Sequence, residues 1–473
     1  MNQFKSLIKD TAIIGFGNIF SKGIIFFLIP LQTSVMSKSD YGIAEMLFNL
    51  VNIIIPIFTL GIAEAGMRFS IDRAEQRGKI FFIVNSLPFI GGIILLIIAI
   101  PFCLLYVNYR QYIIDLFLLY LFFSLREIYL QFSKGIDRVK LFSLGSILFS
   151  FSLLCLTYYL LVIKSLGVSG YLYSYIIANL ITCFFMLSYG NLREYLSVDY
   201  KNFDVTLLKA MLLYSLPLVS NLLAWWITSM SNRYILAYFC TLDDVGVYSA
   251  LAKFSLILTT VYGVFFQSWQ LNAAKSINME GRSDFFAKVY DYYLMGVVAG
   301  SSVFLMISNF VASIFIRCNF TGSFQYLPGI VLTGTACCLP MYWGAIYGAM
   351  KDTKGAFYST VCGSLGSVGL NFLLIPKYGI WGAIISTIVS YFIVTIYRTI
   401  EINRIIHMKL FITKHTLGLL ILILQAIGMS YFSKTGEIVG LYLFSFISFL
   451  IVYKENFVSL ANHVKVLSKA GRS

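Results

Sequence analysis

Residues 241–249 read TLDDVGVYS, and 204 positions earlier residues 37–45 read SKSDYGIAE. Each places an acidic turn and a glycine, Gly246 or Gly42, at the head of a long apolar run, so one helix–turn–helix unit occurs twice. A second pair, LGVSGYLYS (166–174) and YGIWGAIIS (378–386), is separated by 212 residues. Two anchors at nearly the same offset divide the chain into repeated halves of six helices that start on the same side. Parallel repeats of this kind belong to transporters that place their substrate between the halves. Gly42, Gly246, Gly167 and Gly379 are expected at tight outward turns.

Working outward from these anchors, apolar runs continue almost end to end. Of 473 residues, 59% are hydrophobic and 12% charged, and the mean hydropathy is +0.83. A soluble domain does not have this composition. A bilayer core about 30 Å thick takes roughly 20 apolar residues per helix. The predicted spans are 10–32, 41–65, 80–107, 111–132, 141–163, 167–189, 209–238, 246–270, 288–316, 325–349, 356–376, 378–398, 415–432 and 436–453, about 14 in all. The fold class is therefore an all-α polytopic membrane protein. Residues 1–207 form an N-terminal six-helix lobe, 208–400 a C-terminal one, and 401–473 two further helices with a basic tail. Leu-, Ile- and Phe-rich runs of this length do not fit the short alternating strands of a membrane barrel. The eight cysteines show no metal or redox spacing and read as small packing residues. The first apolar run contains Lys22 and lacks a small-residue cleavage site, so it reads as a retained span.

The net charge of +14 is sorted by side. With this span assignment, 25 Lys and Arg fall on the side of the termini and six on the other, while Lys22, Arg126, Arg233 and Lys253 fall inside spans. The positive-inside rule puts both termini in the cytoplasm. The charge then reflects topology, and nucleic acid is not an expected partner.

The segment LPLVSNLLAWWITSMSNRYILAYFCTLDDVGVYSALAKF (216–254) resembles polysaccharide biosynthesis proteins, which read Leu-Pro, Trp, Asp-Arg and Gly-x-Tyr-Ser-x-Ala-x-Lys in that order. LNFLLIPKYGIWGAIISTIVSY (370–391) resembles their Asn-x-x-Leu-Ile-Pro-x-x-Gly-x-x-Gly-Ala pattern. The resemblance extends over essentially the whole chain, to the flippases of lipid-linked oligosaccharides. Their superfamily also holds multidrug and toxic compound extrusion (MATE) transporters and lipid II flippases. Two departures stand out: Asn232 occupies the position of the usual Asp, and Phe239-Cys240 replaces a frequent Gly. The resemblance implies a MATE-like V-shaped bundle in the bacterial cytoplasmic membrane. It also implies alternating access that moves an undecaprenyl-diphosphate-linked oligosaccharide of O-antigen, capsule or similar polysaccharide to the outer leaflet. Membrane lipids and the polysaccharide polymerase machinery are the implied partners, and no enzymatic activity or cofactor is implied.

A Lys or Arg at a helix centre costs roughly 2.5–3.5 kcal/mol on insertion scales, so intramembrane cations need water, a partner or a ligand. Lys22, Arg126, Arg233 and Lys253 are the candidates for the substrate's diphosphate. Three of them have simpler alternatives: Arg233 can snorkel to the outer interface, Lys253 can neutralise Glu45, and Arg126 can pair with the adjacent Glu127. Glu45, Glu64, Asp115, Glu127 and Asp291 are candidates for H⁺ or Na⁺ coupling or for charge pairing. Trp225, Trp226, Tyr342, Trp343 and Tyr347 are candidates for stacking on sugar rings. His407, His415 and His463 lie in or beside basic segments and read as solvated or interfacial.

A multidrug or cation antiporter of the same superfamily would want acidic residues in the first span, where this chain has Lys22. A membrane-embedded glycan polymerase or transferase would need a sizeable external loop, and the outward connections are short.

Overall fold

The computed structural model describes residues 23–24, 27–105, 111–196, 204–316, 318–350, 352–431 and 435–457. Among them the regular structure is helical, with no strand. The helices are α1 (Lys38–Phe58), α2 (Ile62–Asp72), α3 (Arg77–Leu105), α4 (Ile113–Gly135), α5 (Val139–Thr157), α6 (Gly167–Ser188), α7 (Val205–Phe239), α8 (Leu242–Ser276), α9 (Arg282–Phe315), α10 (Leu327–Met350), α11 (Thr353–Tyr378), α12 (Ile380–Ile406), α13 (Ile412–Tyr431) and α14 (Thr435–Val452).

Among the described residues, 11 helices are long and apolar enough to cross a membrane. The count of 14 spans is not established. The expected first span lies mostly outside the described residues, α4 carries Asp115, Arg126, Glu127 and Lys134, and within α14 the apolar stretch Val439–Val452 is shorter than a span requires. The expected span 41–65 is divided into α1 and α2. Pro56 removes a backbone donor near the end of α1. Leu60 (φ 52°) and Gly61 (φ 63°) then take left-handed conformations that no helix continues. Gly61 is required twice over, because a Cβ there would also lie 2.8 Å from Val219 Cγ2.

The helices gather into two compact units. The first comprises the described residues up to 226 with those of 242–246 and 315–319. Within it α4 packs on α2, α3 and α6, and α6 packs on α5. Phe81, Phe132, Ile62, Met186 and Met211 share one buried cluster. Phe81 meets Phe132 at 4.6 Å between ring centroids. The first turns of α1 and α8 also belong to this unit and meet through their glycines. A Cβ on Gly42 would strike the Leu242 carbonyl oxygen and lie 2.9 Å from the Gly246 nitrogen, and one on Gly246 would strike the Lys38 carbonyl oxygen. The 204-residue offset relates Lys38 to Leu242 and Gly42 to Gly246, so the contact is reciprocal. Gly42 and Gly246 therefore sit inside their helices, where close packing requires them. Gly167 (φ 55°) and Gly379 (φ 53°) occupy true turns, as expected.

The second unit comprises the described residues of 227–241 and 247–314 and those from 320 onward. Within it α12 packs against both α10 and α11, and α13 pairs with α14. Gly382 lets the start of α12 approach the end of α11: a Cβ would lie 2.7 Å from the Ile375 nitrogen. The split between units falls inside α7, after Trp226, and α13 and α14 group with the second unit.

Candidate functional site: buried charges in an apolar bundle

In the first unit, Glu45 lies on the inner face of α1 and is 2% exposed. Its carboxylate accepts hydrogen bonds from Tyr41 Oη at 3.2 Å and Tyr171 Oη at 3.0 Å. Tyr171 packs on Tyr175, and Tyr175 on Phe48 with centroids 4.5 Å apart. Phe48 in turn contacts Phe123, so an aromatic chain leads from Glu45 to Arg126. Trp226 joins from α7 by donating its indole N–H to the Asn49 carbonyl at 3.1 Å.

Arg126, 8% exposed, holds its guanidinium between two rings, 4.6 Å from the Phe123 centroid and 4.0 Å from that of Phe149. Its Nη2 reaches Glu127 at 3.7 Å, and its buried Nε has no acceptor. Neighbouring rings stabilise a cation electrostatically but accept no directed hydrogen bond from a guanidinium with five N–H donors. The site is therefore cationic, desolvated and incompletely bonded, which is the condition an incoming oxyanion would complete. The local pair with Glu127 exists but is long, and Glu127 is 37% exposed, so it contributes little.

The other candidate acids of this unit, Glu64, Glu127 and Asp115, sit in polar surroundings. Gln131 Nε2 donates to Glu64 and to Glu127, each at 3.1 Å, while Lys134 Nζ reaches Gln131 Oε1 at 3.3 Å. Asp115 is buried in the first turn of α4, where the helix N-terminus favours a carboxylate. Lys22 lies outside the described residues.

In the second unit, Arg233 does not snorkel: it is buried along α7. It donates Nε to Ser249 Oγ at 3.1 Å and Nη1 to the Ser229 carbonyl at 3.2 Å, and Tyr248 lies 5.4 Å beneath it. Serine hydroxyls one helix away offer a guanidinium a shorter route to polarity than the interface does. Asn232, in place of the expected Asp, donates to Tyr248 Oη at 2.5 Å and Thr387 Oγ1 at 3.3 Å. It ties α7 to α8 and α12 without adding charge. Lys253 is half-buried on α8.

Asp291 on α9 is held by α13 and the residues after α14. Lys414 Nζ lies 2.8 and 2.9 Å from its two carboxylate oxygens, and Asn456 Nδ2 donates at 2.6 Å. His415 Nε2 lies 3.5 Å away. His415 is thus buried, against the expectation of a solvated or interfacial ring, because α13 begins early enough to carry it beneath Tyr290, 5.4 Å away. Lys414, counted from sequence as a loop cation, is a structural partner of Asp291. Arg398, at the end of the predicted span 378–398 and counted with the cations on the side of the termini, bonds Ser359 Oγ at 2.9 Å, Thr360 Oγ1 at 3.2 Å and the Pro340 carbonyl at 3.1 Å. No sequence signal separated these two from their solvated neighbours.

The aromatic candidates divide sharply. Tyr342, Trp343 and Tyr347 are buried in protein. Tyr342 stacks on Trp269 at 5.1 Å and 13° and donates to the Phe286 carbonyl, Trp343 packs on Tyr290, and Tyr347 bonds Glu401. Their faces are covered by protein side chains, so they are packing residues as they stand here. Trp225, 51% exposed, keeps its ring accessible. Among the described residues no group of three or more His, Cys, Asp or Glu side chains could hold a metal ion.

Comparison with solved structures identifies the fold. A multidrug resistance MATE family transporter of the MOP superfamily, in an inward-facing conformation, superposes with a TM-score of 0.69 at 13% identity, covering 81% of this chain and 95% of that one. The lipid II flippase MurJ, in an inward closed conformation, gives 0.65 at 16% identity, covering 95% of this chain and 100% of that one. A MOP superfamily transporter from Pyrococcus furiosus, described with a binding pocket of reverse polarity, gives 0.60 at 13% identity over 84% and 96%. No match is found among curated proteins. The model of the family described as "Polysaccharide biosynthesis protein" matches residues 7–269, more than half of the chain. The chain is a multi-pass membrane protein with a MATE-like fold and belongs to the polysaccharide biosynthesis protein family.

Proposed function

We propose that the protein is a non-enzymatic flippase that carries undecaprenyl-diphosphate-linked oligosaccharide repeat units from the cytoplasmic to the outer leaflet of a bacterial cytoplasmic membrane by alternating access. The observation that carries this reading is Arg126, a desolvated guanidinium clamped by two rings with an unfilled Nε. Family membership and the fold shared with a lipid II flippase support it. Arg126, Arg233, Lys253 and Lys22 are the residues assigned to the diphosphate, and Trp225 is assigned to a sugar face. With the cytoplasm negative inside and both termini cytoplasmic, outward movement of an anion is assisted by roughly 2.3 kcal/mol per charge per 100 mV. Glu45 and Asp115 are the residues assigned to H⁺ or Na⁺ coupling. Their burial also favours a second reading, a cation antiporter, in which the same acids would hold a cationic substrate.

Deletion of the gene tests the first reading. Lipid-linked repeat units should accumulate on the cytoplasmic face with their synthesis intact. Loss of repeat-unit synthesis would indicate a transferase, and unchanged export with altered drug resistance would indicate the antiporter.

A further inference from the structure

A cavity of about 430 Å³ opens in the first unit beside the turn that joins α4 to α5. Asp137, Arg138, Val139, Lys140, Leu141, Leu144, Tyr189 and Gly190 line it. Its volume falls within the roughly 300–1,000 Å³ of small-ligand pockets. The turn is fixed by its backbone: Asp137 takes a left-handed φ of 64°, and the Arg138 nitrogen reaches back to the Ser133 carbonyl at 2.8 Å. Arg138 then donates Nη1 to the Gly190 carbonyl at 2.6 Å. This bond ties the end of α6 to the start of α5 and holds the guanidinium at the cavity wall.

The position is interfacial by two independent marks. One candidate span starts at Val139 and another ends at Ser188, so the cavity lies where both leave the membrane. Its rim also exposes apolar surface, with Leu144 at 48% and Tyr189 at 70%, and Tyr189 stacks on Phe185 at 5.0 Å and 16°. Aromatic side chains collect at this depth in membranes. The charge balance of the lining is positive, with Arg138 and Lys140 against Asp137. The sequence asymmetry assigns this end to the cytoplasm, the side on which basic pockets between helices meet anionic headgroups.

We propose that this cavity seats the phosphate of an anionic phospholipid of the inner leaflet, with Arg138 and Lys140 on the phosphate and an acyl chain along Leu144 and Tyr189. The occupant is a lipid and not free phosphate, because the apolar rim has no role for a small soluble anion. The site is separate from the residues assigned to the transported substrate.

Phosphatidylglycerol titrated into the full-length protein in detergent, with bound lipid counted by native mass spectrometry, tests it. Lys140→Gln should weaken binding about fivefold and the Arg138→Gln/Lys140→Gln pair at least about tenfold, from the contribution typical of a basic residue near an anionic surface. Asp137→Asn should strengthen it, and Lys275→Gln, at an exposed cation elsewhere on the chain, should leave it unchanged. Lys140→Gln is decisive if loss of the Arg138–Gly190 bond disturbs folding. The proposal is overturned if Lys140→Gln has no effect, or if Lys275→Gln weakens binding as much. Equal retention of phosphatidylcholine would overturn it too, as would displacement of the lipid by equimolar inorganic phosphate, which would mark a free-anion site.

Discussion

Replacing Arg126 by Met removes a charge while keeping an unbranched side chain that suits the gap between Phe123 and Phe149. The guanidinium gains up to about 2 kcal/mol from each desolvated ring. Half-exposed Glu127 at 3.7 Å adds about 1 kcal/mol or less. Against these stands an effective desolvation cost of several kcal/mol, increased by an Nε without an acceptor. The sum is near zero or unfavourable, so Arg126→Met should leave unfolding unchanged or stabilise the protein by about 1–4 kcal/mol. Export should behave in the opposite way. A charge-assisted hydrogen bond to a phosphate oxygen contributes about 1.5–3 kcal/mol, and its loss should slow transport at least about tenfold. Arg126→Lys keeps the charge but loses the planar fork and should fall between the two. Thermal unfolding of the purified protein, run beside transport normalised to inserted protein, separates the effects. A Met variant more than about 3 kcal/mol less stable, with normal transport per folded molecule, would refute the reasoning and make Arg126 a structural cation.

Other outcomes follow from the same geometry. Glu45→Gln should preserve folding because an oxygen remains for Tyr41 and Tyr171, whereas Glu45→Leu removes the carboxylate that accepts from both hydroxyls and should cost about 1–3 kcal/mol in thermal unfolding. Gly246→Ala drives a Cβ into the Lys38 carbonyl and should lower the yield of folded protein, while Gly263→Ala, which meets nothing within 4 Å, should be tolerated. Asp291→Asn or Lys414→Met alone breaks a part-buried, charge-assisted pair and should destabilise by about 1.5–3 kcal/mol, with the double variant recovering part of the loss by melting temperature.

The repeat is legible in SKSDYGIAE and TLDDVGVYS, the family in residues 216–254 and 370–391, and the all-helical membrane fold in the apolar runs, because motif, period and hydropathy are local properties of a chain. Burial is not local. In a chain with 17% aromatic residues, an aromatic that faces lipid and one that faces protein occupy the same kind of helix, so the sequence does not separate the packing of Tyr342, Trp343 and Tyr347 from a stacking surface. The partners of Lys414, Arg398 and His415 are hidden from the sequence for a related reason. Span ends are blurred by a turn or more, and one turn moves a side chain from the headgroups to a partner such as Asp291. Arg126 was readable as an intramembrane cation, but its clamp by Phe149 from another helix was not. The same holds for Arg233, whose Ser249 partner lies on α8.

The most direct measurement is transport itself. Purified protein reconstituted in vesicles with a defined undecaprenyl-diphosphate oligosaccharide on one leaflet is assayed for the oligosaccharide on the other, with Arg126→Met and Lys253→Ala in parallel. Protein-dependent transfer that both variants impair while remaining inserted is the predicted result. No transfer by the wild-type protein, with movement of a cationic compound against a proton gradient in its place, would contradict the account.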